Sequence, residues 1–354
     1  MKILPFVFLF LFFQACSSSS EEAPEASPTM SIQQIDTILV DQSIRALQGI
    51  DDQQAWFAGS GGIYGYTKDG GNTWKIDSIV SSGENPHFRA IGITKEAAHL
   101  LTIGSPAKLY RSTDEGQSWS IVYQEDHPQV FYDAMTFWDD QFGIAMGDPT
   151  DGCLSVIRTE DGGNTWQKVD CASLPSSEAG EAAFAASNTN LAVGADGRVW
   201  MVSGGQRARV FYSLDYGKTW EVADTPIIEG GQMTGIYSVD FFDDQTGVIY
   251  GGDWNNKASN QKNKAISRDG GKSWSLLADG QGPGFRSCVR FFPDKEGKGL
   301  LAIGSPGISA SVDAGQSWQS LSDSGFYTFD FGKSATVVWV AGAQKVGKIV
   351  LQGG

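Results

Sequence analysis

Histidine, cysteine and basic residues are scarce in this chain, and each shortage argues against a class of function. The three histidines, His87, His99 and His127, are scattered among 354 residues without the spacing of a metal site or a catalytic triad. The four cysteines include no Cys-x-x-Cys pair, so the common zinc and redox motifs are absent. Lysine and arginine number 26 against 41 acidic residues, and the resulting net charge of −15 argues against a nucleic-acid partner, which needs a basic surface.

Segments with helical periodicity are also few. No Gly-x-Gly-x-x-Gly run opens a helix, which excludes the usual dinucleotide site, and we expect neither a cofactor nor a bound metal. Forty-four glycines and many short runs of aromatic and β-branched residues indicate an all-β protein instead.

One motif, Ser/Thr-x-Asp-x-Gly-x-Ser/Thr-Trp, occurs six times at intervals of 44 to 54 residues, which indicates a repeat architecture. Its aspartate suits a tight turn, where the carboxylate accepts backbone hydrogen bonds, and its glycine suits a positive φ. The motif resembles the Asp-box (BNR) repeat of β-propellers. We therefore interpret the six aspartates as structural rather than catalytic; they are Asp69, Asp114, Asp161, Asp215, Asp269 and Asp313.

Each repeat is predicted to form four strands with the box between the third and the fourth, which is one propeller blade. In the fourth repeat the first strand is expected at 182–185. A seventh repeat begins at 326 but lacks a box and a fourth strand, whereas 35–40 is a strand-like run without partners of its own. We expect this run to complete the last blade, so that no edge is exposed. The predicted fold is an all-β, seven-bladed propeller of four-stranded blades over 31–354, and we expect a monomer.

The N-terminus is predicted to lie outside the fold. An apolar run at 3–13 has the length of a signal-peptide core and is too short to span a bilayer. The small residue before Cys16 resembles a bacterial lipobox, so 1–15 would be a lipoprotein signal peptide and Cys16 the lipidated N-terminus. Residues 16–30 would form a disordered tether. By analogy with known lipoproteins, Ser17 after this cysteine favours the outer membrane. Elsewhere, Cys153 and Cys171 could pair across one hairpin.

The residues that the repeats do not share are expected at the propeller end opposite the boxes. First strands begin there and second strands end there, and we call this end the mouth. Arginines and carboxylates are segregated around it, and an arginine fork suits a partner carboxylate. The candidate partner-binding residues are Arg45, Arg89, Arg286, Asp133, Glu181, Asp148, Asp253 and Trp254. A protein or peptide of the cell envelope is the first candidate partner, and a glycan is the second.

Three other interpretations of the mouth stay open. The arginines, a tyrosine and the carboxylates are superficially similar to the sialidase set, which implies an extracytoplasmic glycoside hydrolase; its candidate catalytic residues are Asp133, Glu181, Tyr237 and Tyr327. A divalent cation could bind carboxylates there, although no calcium-loop spacing occurs. Alternatively, the charges only keep the mouth hydrated.

The boxes, the blade count and the inner-strand arginines together resemble the photosystem II stability and assembly-factor propellers and their relatives in non-photosynthetic bacteria. The resemblance covers about 31–354. It implies a non-catalytic scaffold that holds a partner through a basic patch, to which Arg45, Arg89 and Arg286 correspond by position. The sequence thus predicts an envelope-anchored, protein-binding propeller, with the glycoside hydrolase as the alternative.

Overall fold

The computed structural model describes Met1 and residues 30–80, 85–293 and 296–353. The all-β propeller class is confirmed, because the described residues form 28 strands and no α-helix, with three short 3₁₀ turns between strands. The predicted signal peptide 1–15, Cys16 and the predicted tether 16–30 lie outside the described residues, apart from Met1 and Met30. No helix in the described part is long and apolar enough to cross a membrane.

Four sheets have four strands each. The first of them is β5 (Phe88–Ile93), β6 (Ala98–Thr102), β7 (Ala107–Ser112) and β8 (Ser120–Glu125). The second is β9 (Tyr132–Phe137), β10 (Gly143–Thr150), β11 (Cys153–Thr159) and β12 (Gln167–Lys168). The third is β14 (Leu191–Val193), β15 (Val199–Val202), β17 (Arg209–Ser213) and β18 (Glu221–Asp224). The fourth is β23 (Cys288–Phe291), β24 (Leu300–Gly304), β25 (Gly307–Ser311) and β26 (Gln319–Ser322).

Two further sheets have six strands each. One follows the order β27 (Thr328–Phe331), β28 (Val337–Gln352), β1 (Ser31–Gly49), β2 (Ala55–Gly59), β3 (Ile63–Thr67) and β4 (Lys75–Ser78). The other follows the order β13 (Glu181–Ala182), β16 (Gly204–Gly205), β19 (Thr234–Phe241), β20 (Gly247–Asp253), β21 (Lys264–Ser267) and β22 (Ser275–Leu276).

The prediction of seven four-stranded blades is therefore wrong, because the described strands form six sheets. The physical reason is strand β1, which runs for 19 residues without a break. It pairs antiparallel with β28 from Ser31 to Ser43 and with β2 from Ile44 to Gly49. The first and last repeats thus share one continuous sheet.

The fourth repeat also departs from the prediction. No strand forms over 182–185 as a whole, since β13 ends at Ala182 and pairs only with the two glycines of β16. Residues 183–190, here called the inner segment, leave the ladder before the chain re-enters a sheet at β14. An alanine-rich run with few β-branched residues has a weak intrinsic preference for a strand.

The core lies between neighbouring sheets. One buried cluster, for example, joins Ile144 and Met146 of β10 to Val199 and Met201 of β15. The box tryptophans cover the rim of this core, and the indole Nε1 of Trp220 donates to the carbonyl of its own box glycine, Gly217, at 3.0 Å. Cys153 and Cys171 form a disulfide.

Candidate functional site

The box turns have nearly the same hydrogen bonds in all six repeats. In the fourth, Asp215 Oδ1 accepts from the Ser213 hydroxyl at 2.8 Å and from the Thr219 backbone N–H at 2.9 Å. Its Oδ2 accepts from the Thr219 hydroxyl at 2.7 Å. Such bonds favour the ionised form, and those from Ser118 lower the pKa of Asp114 to about 2. Each box carboxylate is therefore occupied by its own turn.

The box turns and the residues of the mouth lie at opposite ends of the sheets. In the first repeat, Ile44 pairs with Gly59 at one end, whereas Gly49, Ala55 and Thr67 align at the other, where the box begins. The second repeat has the same register. Arg45 and Arg89 therefore lie far from their own boxes.

A cleft of about 470 Å³ lies at the mouth end. It brings together Arg45 and Arg89, from the first strands of two repeats, with Asp148, Tyr237 and Trp254 from other repeats. The sequence had named all five of these residues. The rest of its lining is Phe131, Gln232, Met233 and the chain from Ala182 to Ala186.

Arg45 and Arg89 are the cationic groups of the cleft. The guanidinium of Arg45 lies 4.0 Å from the centre of the Tyr327 ring, and its Nη1 donates to the carbonyl of Ala186 at 3.5 Å. Arg89 Nη1 donates to the Ser60 hydroxyl at 3.0 Å. Burial, and then the neighbouring charge of Arg45, lower the pKa of Arg89 to about 10. No described carboxylate lies within 4.0 Å of either guanidinium, so their positive charges lack a counter-ion in the described chain.

Asp148 supports the inner segment at the edge of the cleft. Its Oδ1 accepts from the backbone N–H of Ala183 at 2.7 Å, and burial raises its pKa to about 6. Asp133 lies beside it, fully buried, and neither carboxyl oxygen has a hydrogen-bond partner among the described residues. Burial and the charge of Asp148 raise the pKa of Asp133 well above its usual range. This environment thus favours the protonated, neutral form of Asp133.

The inner segment occupies the space between the first strands and forms the floor of the cleft. Asn188 donates to the carbonyl of Ile91 at 3.1 Å and accepts from the N–H of Met135 at 2.9 Å. Further bonds join Ser187 to Ser287 and Thr328, Thr189 to Ser238 and Val239, and Ala186 to Arg45. These partners belong to six other repeats, so the segment links the first strands across the centre of the molecule.

An aromatic cluster forms one side of the cleft. Phe184, from the inner segment, stacks on Tyr237 with ring centres 4.0 Å apart and an interplanar angle of 6°. Phe285 packs edge-on against Tyr237 at 4.7 Å, and Trp254 packs edge-on against Phe285 at 5.4 Å. The Tyr237 hydroxyl donates to the carbonyl of Met233 at 3.0 Å. Trp254 is half-buried and is the outermost ring of this cluster.

Several predicted residues lie outside the cleft lining. Arg286 is buried, and its guanidinium donates to the carbonyl of Phe285 and the hydroxyl of Ser309, each at 2.9 Å. Glu181 is buried in an ion pair with Arg209 at 2.5 Å. Asp253 accepts from the N–H of Asn255 at 2.8 Å.

The candidate catalytic residues of the hydrolase alternative are dispersed as well. Tyr237 alone among them lines the cleft, since Asp133 and Glu181 are buried outside its lining and Tyr327 lies beneath Arg45. The described residues also contain no group of three or more His, Cys, Asp or Glu placed to hold a metal ion.

Sequence reasoning missed the apolar residues of the cleft. Phe131 and Met233 precede strands and have no distinguishing sequence pattern, and the predicted strand at 182–185 included Phe184. The one available signal was the polar run at 187–190 after an alanine-rich stretch, which is unusual for an inner strand.

The fold and the repeated boxes define the class of protein: the chain is an Asp-box β-propeller. A model of the BNR/Asp-box repeat matches residues 265–276. A model described as photosynthesis system II assembly factor YCF48 matches residues 26–129, and one described as sortilin, neurotensin receptor 3, matches residues 107–229. Within its class, the chain resembles photosystem II assembly factors.

Among curated proteins, the chain is similar to the photosystem II assembly lipoprotein Ycf48 of Synechococcus sp. (strain CC9902). The two are 25% identical over 256 residues, which is 63% of this chain and 72% of the relative. Among solved structures, YCF48 bound to D1 peptide matches with a TM-score of 0.63 and 18% identity, over 91% of this chain and 98% of that one. The WD40 repeats of RRP9 match with a TM-score of 0.63 and 11% identity, over 90% and 100%. At these identities, the structural likeness shows the fold alone.

Proposed function

We propose that this protein is a non-catalytic scaffold that binds a protein or peptide partner of the cell envelope in the cleft at its mouth end. The observation that carries this proposal is the pair Arg45 and Arg89, which line the same cleft and form no ion pair with a described carboxylate. Both guanidinium groups are half-buried, and an anionic group that entered the cleft would form charge-assisted hydrogen bonds with the two of them at once. The curated relative is an assembly lipoprotein, and a solved YCF48 structure carries a peptide.

The proposed anchor is a lipid on Cys16. The support comes from the sequence around this residue and from the relative, whose name describes a lipoprotein. A lipid anchor and a tether would hold the propeller, as a monomer, at the outer membrane with the cleft free to receive a partner. Cys16→Ala should move the protein from the membrane fraction to the soluble fraction, and unchanged fractionation would contradict the anchor.

The binding proposal is tested by crosslinking in the native envelope and by rebuilding the complex from the purified partner. The Arg45→Ala/Arg89→Ala double variant should lose the complex, whereas Arg268→Ala, an exposed arginine in the fifth box, should keep it. Thermal unfolding of both variants checks that the ring is intact. Equal binding by the double variant and the wild-type protein would refute the cleft as the site. Turnover of a sialoside or another glycoside that is lost in Arg89→Ala would support the hydrolase instead.

A further inference from the structure

The lining of the cleft includes two chemically different sets of side chains. One set is the guanidinium groups of Arg45 and Arg89, and the other is three apolar side chains, Phe131, Met233 and Trp254. Isolated apolar residues on a surface are ordinary. Here they share one concave site with two uncompensated cations, and arginine and tryptophan are the residue types that most often dominate binding energy at interfaces.

Trp254 is held in place before any ligand binds. The Phe285 ring packs nearly perpendicular to it with ring centres 5.4 Å apart, and the ammonium group of Lys257 lies 4.1 Å from its ring centre. Behind Phe285, the stacked pair of Phe184 and Tyr237 is buried. A platform that is already rigid loses little conformational entropy on binding, so contact with it adds more to affinity.

The floor of the cleft offers backbone groups to a ligand. The N–H groups of Phe184 and Ala185 donate no hydrogen bond to any described residue, although both residues line the cleft. A peptide brings carbonyl groups that suit such donors. Beneath the floor, the bonds from Asn188 to two other repeats keep the inner segment in place. The backbone at the floor is therefore held in position before a ligand binds.

We propose that the cleft recognises a peptide in which a large apolar side chain, preferably aromatic, neighbours an acidic residue. The acidic side chain binds Arg45 and Arg89, and the apolar side chain packs on Trp254. This assignment rests on the proposed function and adds the chemical class of the partner. The net charge of −15 repels acidic peptides in general, so selection of this peptide depends on local contacts in the cleft.

The test uses four synthetic peptides with both ends blocked and the full chain as binder. The parent is acetyl-Gly-Gly-Phe-Glu-Gly-amide, and its relatives replace Phe by Ala, Glu by Gln, or both. Binding is measured calorimetrically at one ionic strength. We expect the Phe peptide to bind about tenfold more tightly than its Ala counterpart, which is the effect of one good aromatic anchor. We expect the Glu peptide to bind more tightly than its Gln counterpart, because the guanidinium groups lose an ionised partner in the latter.

Variants assign each preference to one set of side chains in the cleft. Trp254→Ala should reduce the Phe-to-Ala ratio to about one and leave the Glu-to-Gln ratio intact, whereas Trp254→Phe should retain most of both. The Arg45→Ala/Arg89→Ala variant should abolish only the Glu-to-Gln ratio. Phe242→Ala, which removes an exposed ring outside the cleft, should change neither ratio.

Two failures are distinguishable. If Glu peptides bind through the arginines but Phe and Ala peptides bind equally, the aromatic assignment is wrong and the proposed scaffold function stands. If no peptide binds to the wild-type chain, both the assignment and peptide binding at this cleft are refuted.

Discussion

Arg209 and Glu181 form a buried ion pair in which two guanidinium nitrogens reach the two oxygens of one carboxylate, at 2.5 and 3.0 Å. Glu181 also accepts from the Ser203 hydroxyl at 2.5 Å and from the Glu178 N–H at 2.8 Å. All of the hydrogen-bond acceptor capacity of the Glu181 carboxylate is thus used inside the fold, which leaves it unsuited to bind a ligand at the mouth.

Removal of one member of this pair should be severe. Arg209→Met leaves a buried carboxylate without its cation, and we expect a loss of about 3–5 kcal/mol in the free energy of unfolding, measured by urea denaturation. Glu181→Leu/Arg209→Met should recover much of that loss, since no charge then remains buried. A loss below about 1 kcal/mol in the single variant would show that the pair is solvated.

The third box glycine should tolerate no side chain. Gly163 has a φ of +76°, and a Cβ there would lie 2.1 Å from Nε2 of His99, which is buried between Phe137 and Trp166. Gly163→Ala combines backbone strain with overpacking, and we expect a loss of about 3 kcal/mol or more in thermal or urea unfolding.

Gly152→Ala is the matched control. Gly152 has a φ of +89°, but a Cβ at this position would have no neighbour within 4 Å, so only the strain of about 1–2 kcal/mol should appear. If both variants lost the same free energy of unfolding, the imidazole of His99 would move away from the new Cβ without an energetic cost.

Stability should depend on pH through Asp148. Its pKa rises from 3.8 to about 6 on folding, so the folded chain binds the proton more tightly than the unfolded chain. The stabilisation from that proton is complete below pH 3.8 and is lost as the pH rises through 6. Asp148→Asn stays neutral and keeps an acceptor for the Ala183 N–H.

The variant should therefore gain stability relative to the wild-type protein between about pH 4 and pH 7, by up to about 2 kcal/mol. Urea unfolding across this range measures the difference. A constant difference between Asp148→Asn and the wild-type protein would exclude a raised pKa at this site.

The position of the inner segment should depend on the side-chain hydrogen bonds of Asn188. Its side chain bonds to two other repeats, and its φ of +62° is one that glycine adopts without strain. Asn188→Gly removes both side-chain bonds, but glycine can keep the same backbone conformation. We expect the free energy of unfolding to fall by about 2 kcal/mol and the Met135 amide to exchange its hydrogen faster. Asn164→Gly, at an exposed box position, is the control. Unchanged exchange at Met135 would contradict the bridging role.

The sequence predicted the box turns well because each turn is stabilised by hydrogen bonds among its own residues. A residue such as Asp215 makes its bonds within six residues, so spacing alone reveals the turn. The five cleft residues that it named followed from strand order, since Arg45 and Arg89, for example, lie on first strands at the ends away from the boxes. The partnership of Glu181 with Arg209 depends instead on the path of the fourth repeat, which spacing does not determine.

The errors have a common physical origin in long-range contacts. Continuity of β1 depends on pairing with both β28 and β2, so the number of sheets followed from tertiary contacts and not from the count of repeats. The inner segment is stabilised by partners such as Ile91 and Thr328, which are remote in sequence. The repeat pattern indicated a strand at 182–185, but the intrinsic strand preference of this run is weak, and the chain bonds across the centre instead.

Ring closure by β1 has a consequence for biogenesis. Ser31 bonds to Gln352 across 321 residues, so β1, the earliest of the described strands along the chain, pairs with the latest of them, β28. Until the C-terminal hairpin exists, residues 31–43 present unpaired backbone groups that could associate with another chain. Pairing over such a separation is also slow. Quality control of this protein should therefore centre on one late event, the pairing of β1 with β28.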